Sequence, residues 1–404
     1  MPPDPQLVAA ADGATPVATS LWRVHLLFAL VGVAEATVVP FVPLMLHERG
    51  FGFADIGLLL AAMSLAAFAS APVWAYAADV RLGREVTLAV SMAAAGAVSV
   101  LVYLAHERAL LALAVVALWA LRSPNASLAD AIALDRLGGE RRGEYGRVRL
   151  WTSIGWAVAV LLWGVIIAAS TYGAAALLYP IALAAVLAWT LFGLGRSAHV
   201  PHPQAARPLR PRRGEIRRAR PLIVFLVALL LAQIAFVAGF NFSSLRISGL
   251  GGGALLVAVA ASLQAVAEVP VMASMTRLRR VFAARHFYVV GCAVYAVVLL
   301  FWAGTKDPVA VAVARLVLGI GFALTYVGSV VVVDELVSPH LRATGQVAAK
   351  SVSFGLAPVI GALGGGVVYS RLGPSAMFVG AAIFAAIAGI ITLQAEATAR
   401  RRPR

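Results

Sequence analysis

The sequence predicts an all-α membrane protein with twelve transmembrane helices in two pseudo-symmetric six-helix bundles and both termini cytoplasmic. Three observations predict it. Of 404 residues, 61% are apolar and 13% charged, with mean hydropathy +0.90, far from the averages of a soluble domain. Mostly apolar runs of about 20 residues, the length that crosses ~30 Å of hydrocarbon, recur twelve times. The chain also repeats itself. Ala69-Ser70-Ala71-Pro72-Val73 before Asp79 answers to Ala267-Glu268-Val269-Pro270-Val271 before Arg277, a shift of 198 that also carries Glu35 onto Gln233. A shift of 199 carries Asp135 onto Asp334 and Gly146 onto Gly345.

Each span is delimited by its polar break. Leu21 to Leu46 ends before Arg49, and Phe53 to Ala78 ends at Asp79, Arg81 and Arg84. Val86 to Ala105 ends before Arg108; Ala109 to Leu134 ends at a cluster from Arg136 to Arg149. Leu150 to Ser170 and Ala174 to Leu194 complete the first half (21–195), which a proline- and arginine-rich linker (196–221) joins to the second (222–394). There Leu222 to Phe242 precedes Arg246, Ala254 to Thr276 precedes four arginines from Arg277 to Arg285, and Phe287 to Gly304 precedes Lys306. Val309 to Val333 ends before Arg342, Gly345 to Val368 before Arg371, and Ser375 to Leu393 before a basic tail (395–404). These runs are too long and too continuously apolar for the alternating strands of a membrane barrel. Residues 1–20 hold no Lys or Arg and no apolar core, so the sequence reads them as a disordered cytoplasmic tail, neither secretion signal nor transit peptide.

The net charge of +15 does not imply nucleic acid, because its placement is topological. With the N-terminus inside, inner breaks hold 24 Lys and Arg residues and outer breaks five, which places both termini in the cytoplasm. Contact with anionic lipid headgroups is the secondary consequence. Cys292 stands alone, and the seven histidines lack the pair spacing of a zinc site, so no metal and no cofactor is expected. No nucleophile elbow, phosphate loop or dinucleotide fingerprint occurs, and the chain reads as a non-enzyme.

What remains is the set of polar groups inside the bilayer, where a charge costs roughly 2.5–3.5 kcal/mol and is kept chiefly when paired or functional. Glu35 and Gln233 lie midway along the first and seventh spans. Arg122, Asn125 and Asp130 share the fourth span, loosened by Pro124; Gln264 and Glu268, four apart, share a face of the eighth. Arg315 enters the tenth span and Lys350 the eleventh. Parallel halves with polar residues at matching depths suit a carrier that rocks one half against the other around a central site. In that reading Glu268 and Asp130 exchange protons, since a carboxyl shielded from water can hold a proton and release it as access alternates. The alternative is a structural ion pair with Arg122, Lys350 or Arg149. Glu35, Arg122, Asn125, Gln233, Gln264 and Arg315 are the candidates for substrate binding. Arg122 either forks onto a substrate carboxylate or pairs permanently with Glu35 or Asp130. Asp79, Arg81, Arg84, Arg147 and Arg149 are the candidates for gating.

Asp79-Val80-Arg81-Leu82-Gly83-Arg84 resembles the cytoplasmic latch loop of the major facilitator superfamily, with Ala75 where a glycine is usual. Ser127 to Leu134, then Tyr145-Gly146-Arg147-Val148-Arg149-Leu150-Trp151-Thr152-Ser153-Ile154-Gly155, is similar to the aspartate-alanine and YGRxRLWGS patterns of the 3-phenylpropionate permease group. Ala267-Glu268-Val269 with Leu278-Arg279-Arg280 is similar to that group's eighth-span pattern. Thr152 replaces a glycine, and Arg122 and Lys350 are outside the pattern. The resemblance implies a twelve-helix proton symporter that imports a small organic compound; the chain reads as a monomeric carrier of the bacterial cytoplasmic membrane, its cargo an aromatic carboxylate, nucleoside or sugar. Asp130, Arg147, Arg149 and Glu268 fall at motif positions. Proton-driven efflux is the alternative; the proline-free fifth span favours uptake. A membrane sensor is more remote, since no sizeable soluble domain lies between the spans.

Overall fold

A computed structural model describes residues 21–141, 145–194, 220–337 and 342–400. The N-terminal tail, most of the linker and the last four residues lie outside these ranges. All regular structure among the described residues is helical: α1 (Leu21–Val38), α2 (Val42–Glu48), α3 (Phe53–Tyr76), α4 (Arg84–Leu104), α5 (Arg108–Arg122), α6 (Asn125–Arg141), α7 (Tyr145–Ala168) and α8 (Ala174–Ala188) in the first half. The second half holds α9 (Arg220–Gly249), α10 (Ala254–Leu278), α11 (Ala284–Gly304), α12 (Pro308–Leu336), α13 (Arg342–Ser351) and α14 (Ala357–Arg400). Short π-helical turns continue α3 over Ala77–Arg81 and α8 over Trp189–Gly193, and Val352–Leu356 joins α13 to α14.

By length and composition, eleven segments can cross a membrane, among them α5 with α6 as one and Thr344–Gln394 as one of 51 residues. At 1.5 Å per residue that last segment would run roughly 75 Å. It does not run straight. Gly373 takes φ +86°, ψ 170°, a left-handed conformation that side chains resist, and Pro374 follows. This turn breaks α14 between Tyr369 and Met377, both of which are buried.

Prolines inside the other helices are compensated from neighbouring ones. Pro124 has no N–H for the carbonyl of Ala120, and that carbonyl instead accepts from Ser70 Oγ (3.0 Å) and Trp74 Nε1 (2.9 Å) on α3. Pro180 likewise frees the carbonyl of Ala176, which accepts from Ser99 Oγ on α4 at 2.7 Å. The repeat has a structural counterpart at helix ends. Arg49 donates to the carbonyls of Ala105 (2.8 Å) and Tyr103 (2.9 Å) at the end of α4, and Arg246, 197 residues later, donates to Thr305 (2.7 Å) at the end of α11. Both use a guanidinium to satisfy carbonyls a helix terminus leaves open.

Within the first half α1 packs on α7 and α8, and α4 on α5 and α8; within the second α9 and α11 pack on α14, and α12 on α10 and α11. Contact between halves is concentrated in two pairs, α3 with α14 and α7 with α10. Both pairs are tightest at the end of the bundle away from Leu21, here called the far end. A Cβ on Gly57 would lie 2.6 Å from the Ala362 carbonyl oxygen and 2.7 Å from Gly366 Cα; one on Gly164 would lie 2.2 Å from Ala258 Cβ. Phe53 and Tyr369 rings meet across the first pair at 4.7 Å. Tyr172, in the turn between α7 and α8, hydrogen bonds Ser248 at the end of α9, and burial pushes its phenol above the ordinary range, leaving a neutral partner. Toward the other, near end, contact continues to Gly355 against the Phe68 ring and to Ser262 Oγ, which donates to the Ala157 carbonyl at 2.9 Å. Beyond those points Tyr76, Val347, Lys350, Trp151 and Arg149 are exposed.

Candidate functional site

The first-half cluster sits where Pro124 separates α5 from α6. The break leaves Arg122 as the last residue of α5, and Glu35 of α1 forms an ion pair with it. The side chains are 12% and 18% exposed, low enough that each needs the other. Arg122 Nε also donates to Tyr179 Oη (3.3 Å), and its guanidinium lies over the Trp119 ring, 4.6 Å from the centroid. Asn125, 2% exposed, accepts from Ser91 Oγ at 2.5 Å.

The second-half cluster is a chain of amide and charge. Arg315 on α12 is 2% exposed. Its Nε and Nη2 donate to Gln264 Oε1 (3.1 and 2.7 Å), its Nη1 donates to Ser243 Oγ (3.1 Å), and its plane faces Phe240, 4.8 Å from the centroid. Gln264 Nε2 in turn donates to Glu268 Oε1 at 3.2 Å, a contact the four-residue spacing on α10 permits. Among the described residues no carboxylate lies within ion-pair distance of Arg315; the amide stands between cation and acid. Gln233 is buried on α9.

The two halves meet electrostatically at the near end of the seam. Asp130 accepts a hydrogen bond from the Tyr145 hydroxyl and lies within electrostatic reach of Arg149 and, from the opposite half, of Lys350. Arg149 also reaches Glu268 across the seam. Neither Arg149 nor Lys350 has a carboxylate of the described residues within ion-pair distance, and both are exposed. Arg122 and Arg315, the deeper cations, are engaged by partners inside their own halves. Two shallower cations thus remain open to an anion.

Sequence reasoning missed an aromatic wall on the second half. Phe236 of α9 stacks on Phe322 of α12 (4.8 Å) and Tyr295 of α11 (5.5 Å), and Phe322 stacks on Tyr326 (5.7 Å). Phe236, Phe322 and Tyr326 are half-buried, and Tyr326 interacts with Tyr145 of the first half. Their i, i+4 spacing on α12 was a signal, but apolar spans offer many such pairs.

The gating candidates divide. Arg84 joins Asp79 (Nε to Oδ1, 3.7 Å) to Asp135 of α6, while Glu85 pairs with Arg136. In the second half Asp334, the repeat counterpart of Asp135, pairs with Arg342 at 3.1 Å. These contacts tie helices within a half. Arg81 stands over the Tyr76 ring, 6.0 Å from its centroid, and Arg147 is exposed at the start of α7. Among the described residues no group of three or more His, Cys, Asp or Glu could hold a metal.

The MFS_1-like family model matches residues 21–379. The chain belongs to the MFS_1-like family. A maltose permease of Geobacillus stearothermophilus is 28% identical over 257 residues, a match that spans 63% of this chain and 63% of the permease. The nucleoside transporter NupG superposes with a TM-score of 0.77 over 95% of this chain and 99% of its own, at 16% identity. The POT family transporter PepTSo superposes with a TM-score of 0.74 over 95% and 99%, at 9% identity. These likenesses establish a major facilitator fold in a membrane protein. The closer likeness to 3-phenylpropionate permeases rests on the motifs alone.

Proposed function

We propose that this family member is a proton-coupled carrier that imports a small organic solute by alternating access. The observation that carries the reading is the seam itself: sealed at the far end, it leaves Asp130, Arg149, Lys350 and Glu268, from both halves, at the near end. A solute bridging Arg149 and Lys350 would touch both halves at once, the condition for coupling its binding to their rocking. The stacked wall of Phe236, Phe322 and Tyr326 suits a planar ring, so an aromatic carboxylate or a nucleoside fits better than a sugar. Glu268, joined by Gln264 to Arg315 and facing Arg149, is the proton carrier, with Asp130 beside the solute site. Glu35, Arg122, Asn125 and Gln233 line the deeper part of the chamber. We read Thr344–Gln394 as two crossings hinged at Gly373, which gives twelve helices in two six-helix bundles, both termini and the near end in the cytoplasm of a bacterium, and a carrier complete as a monomer. Asp79, Arg81, Arg84 and Arg147 then brace the cytoplasmic face.

Purified protein in liposomes tests the proposal. Ring-bearing carboxylates and nucleosides are added in turn while external pH is followed. Alkalinisation on addition of one of them supports uptake symport; acidification supports efflux by antiport. No pH change with any compound that thermally stabilises the protein removes the coupling.

A further inference from the structure

The turn between α10 and α11 carries charge that nothing in the fold answers. Leu278 ends α10 and Ala284 starts α11, and the apolar crossings on either side stop at Met275 and begin at Ala284, which sets residues 276–283 at the membrane boundary of the near end. Arg277, Arg279 and Arg280 are exposed, and among the described residues none of the three has a carboxylate within ion-pair distance. Beside them Val281 and Phe282 are 75% and 53% exposed. The corresponding turn of the first half shows what is missing here. A shift of 198 carries Asp79 onto Arg277, Arg81 onto Arg279, Leu82 onto Arg280 and Glu85 onto Ala283. In the first half Asp79 pairs with Arg84 and Glu85 with Arg136, so that turn neutralises itself. The second turn has lost both acids. Both turns expose apolar side chains, Val80 and Leu82 in the first; uncompensated charge is what separates them.

We propose that this turn is a binding site for anionic phospholipid, with Arg277, Arg279 and Arg280 on the headgroup phosphates and Val281 and Phe282 among the upper acyl carbons. A turn between two crossings cannot leave the interface, so its cations meet lipid headgroups. A guanidinium forks onto phosphate oxygens. A zwitterionic headgroup brings its own cation and leaves the net charge of the arginines unanswered; an anionic one supplies the negative charge that Asp79 and Glu85 supply in the first half. Embedding Val281 and Phe282 removes apolar surface from water and holds the arginines at phosphate depth. The site belongs to the second bundle alone. It needs only the membrane fold, and stands whether or not the chain moves protons with its solute.

The test uses the full chain in phosphatidylcholine liposomes that contain a minor share of phosphatidylglycerol. In a Cys292→Ala background a bimane fluorophore is attached at Val281→Cys or, in the first-half turn, at Leu82→Cys. Tracer spin-labelled phosphatidylglycerol or spin-labelled phosphatidylcholine is the quencher. At Val281→Cys the anionic tracer should quench about fivefold more strongly than the zwitterionic one, the equivalent of ~1 kcal/mol. At Leu82→Cys the two should quench alike. Arg277→Gln with Arg279→Gln and Arg280→Gln should abolish the preference while both tracers still quench, which shows the turn in place at the interface. Arg277→Lys with Arg279→Lys and Arg280→Lys should keep most of the preference. Equal quenching by the two tracers at Val281→Cys, the same preference at both turns, or a preference that survives in the neutral triple variant overturns the site. A label at Val281→Cys that neither tracer quenches overturns it too.

Discussion

Gly57→Ala is the smallest change that acts on the far-end seal. The added Cβ would stand 2.6 Å from the Ala362 carbonyl oxygen and 2.7 Å from Gly366 Cα, whereas carbon contacts settle at about 3.5–4.0 Å. Both obstacles are backbone, so no side chain can rotate away, and α3 and α14 must separate by about 1 Å. Overpacking of this kind costs about 1–3 kcal/mol. That penalty falls only on the closed far end, because the open state has already parted these helices. The ratio of open to closed far ends should therefore rise roughly 5- to 150-fold, at tenfold per 1.4 kcal/mol. Spin labels at Glu107→Cys and Lys306→Cys, exposed residues on the far end of each half, read the two populations by pulsed electron resonance in a Cys292→Ala background. A longer distance should gain weight in Gly57→Ala. A distribution identical to that of wild type, in a variant that melts cooperatively, would refute the idea that this glycine contact holds the end shut.

Three further tests follow from the contacts. Glu35→Gln should destabilise the protein by about 3–5 kcal/mol because Arg122 is left buried and unpaired, and Glu35→Gln with Arg122→Met should recover most of it, read from denaturation in detergent. Ser70→Ala with Trp74→Phe strips both α3 donors from the Ala120 carbonyl, which keeps Ser123 Oγ at 3.0 Å, and should cost about 0.5–1.5 kcal/mol per bond lost; a melting temperature equal to that of Trp74→Phe alone counts against it. Arg49→Met and Arg246→Met should each cost about 1.5–3 kcal/mol. Lying in different halves, they should add within ~0.5 kcal/mol, and coupling well above that would show the halves melting through a shared contact.

The all-helical membrane fold was legible because lipid permits few solutions: long apolar runs between polar breaks can only be helices there. The one ambiguity in the helix count has a local cause. Gly373, at φ +86°, and Pro374 bend the chain with no intervening loop, so two apolar runs stand end to end in one segment. The candidate site was legible where partners are close in sequence, as Gln264 and Glu268 are. It was open where partners come from distant helices. Arg122 had three possible acids, and only packing of α1 on its neighbours brings Glu35 to it. The aromatic wall and the Ser262 to Ala157 bond across the seam depend on helix rotation, which a continuously apolar span does not encode in its periodicity. The arginines at 49 and 246 were visible only as basic residues at polar breaks, because their targets are backbone carbonyls, which no sequence pattern marks.

The account stands or falls on Glu268 as the proton carrier. In liposomes loaded with a solute that wild type transports, Glu268→Gln should exchange labelled for unlabelled solute at near wild-type rate, since exchange needs no net proton movement. It should fail to accumulate that solute when an inward proton gradient is imposed. Gradient-driven accumulation that survives in Glu268→Gln would contradict the account.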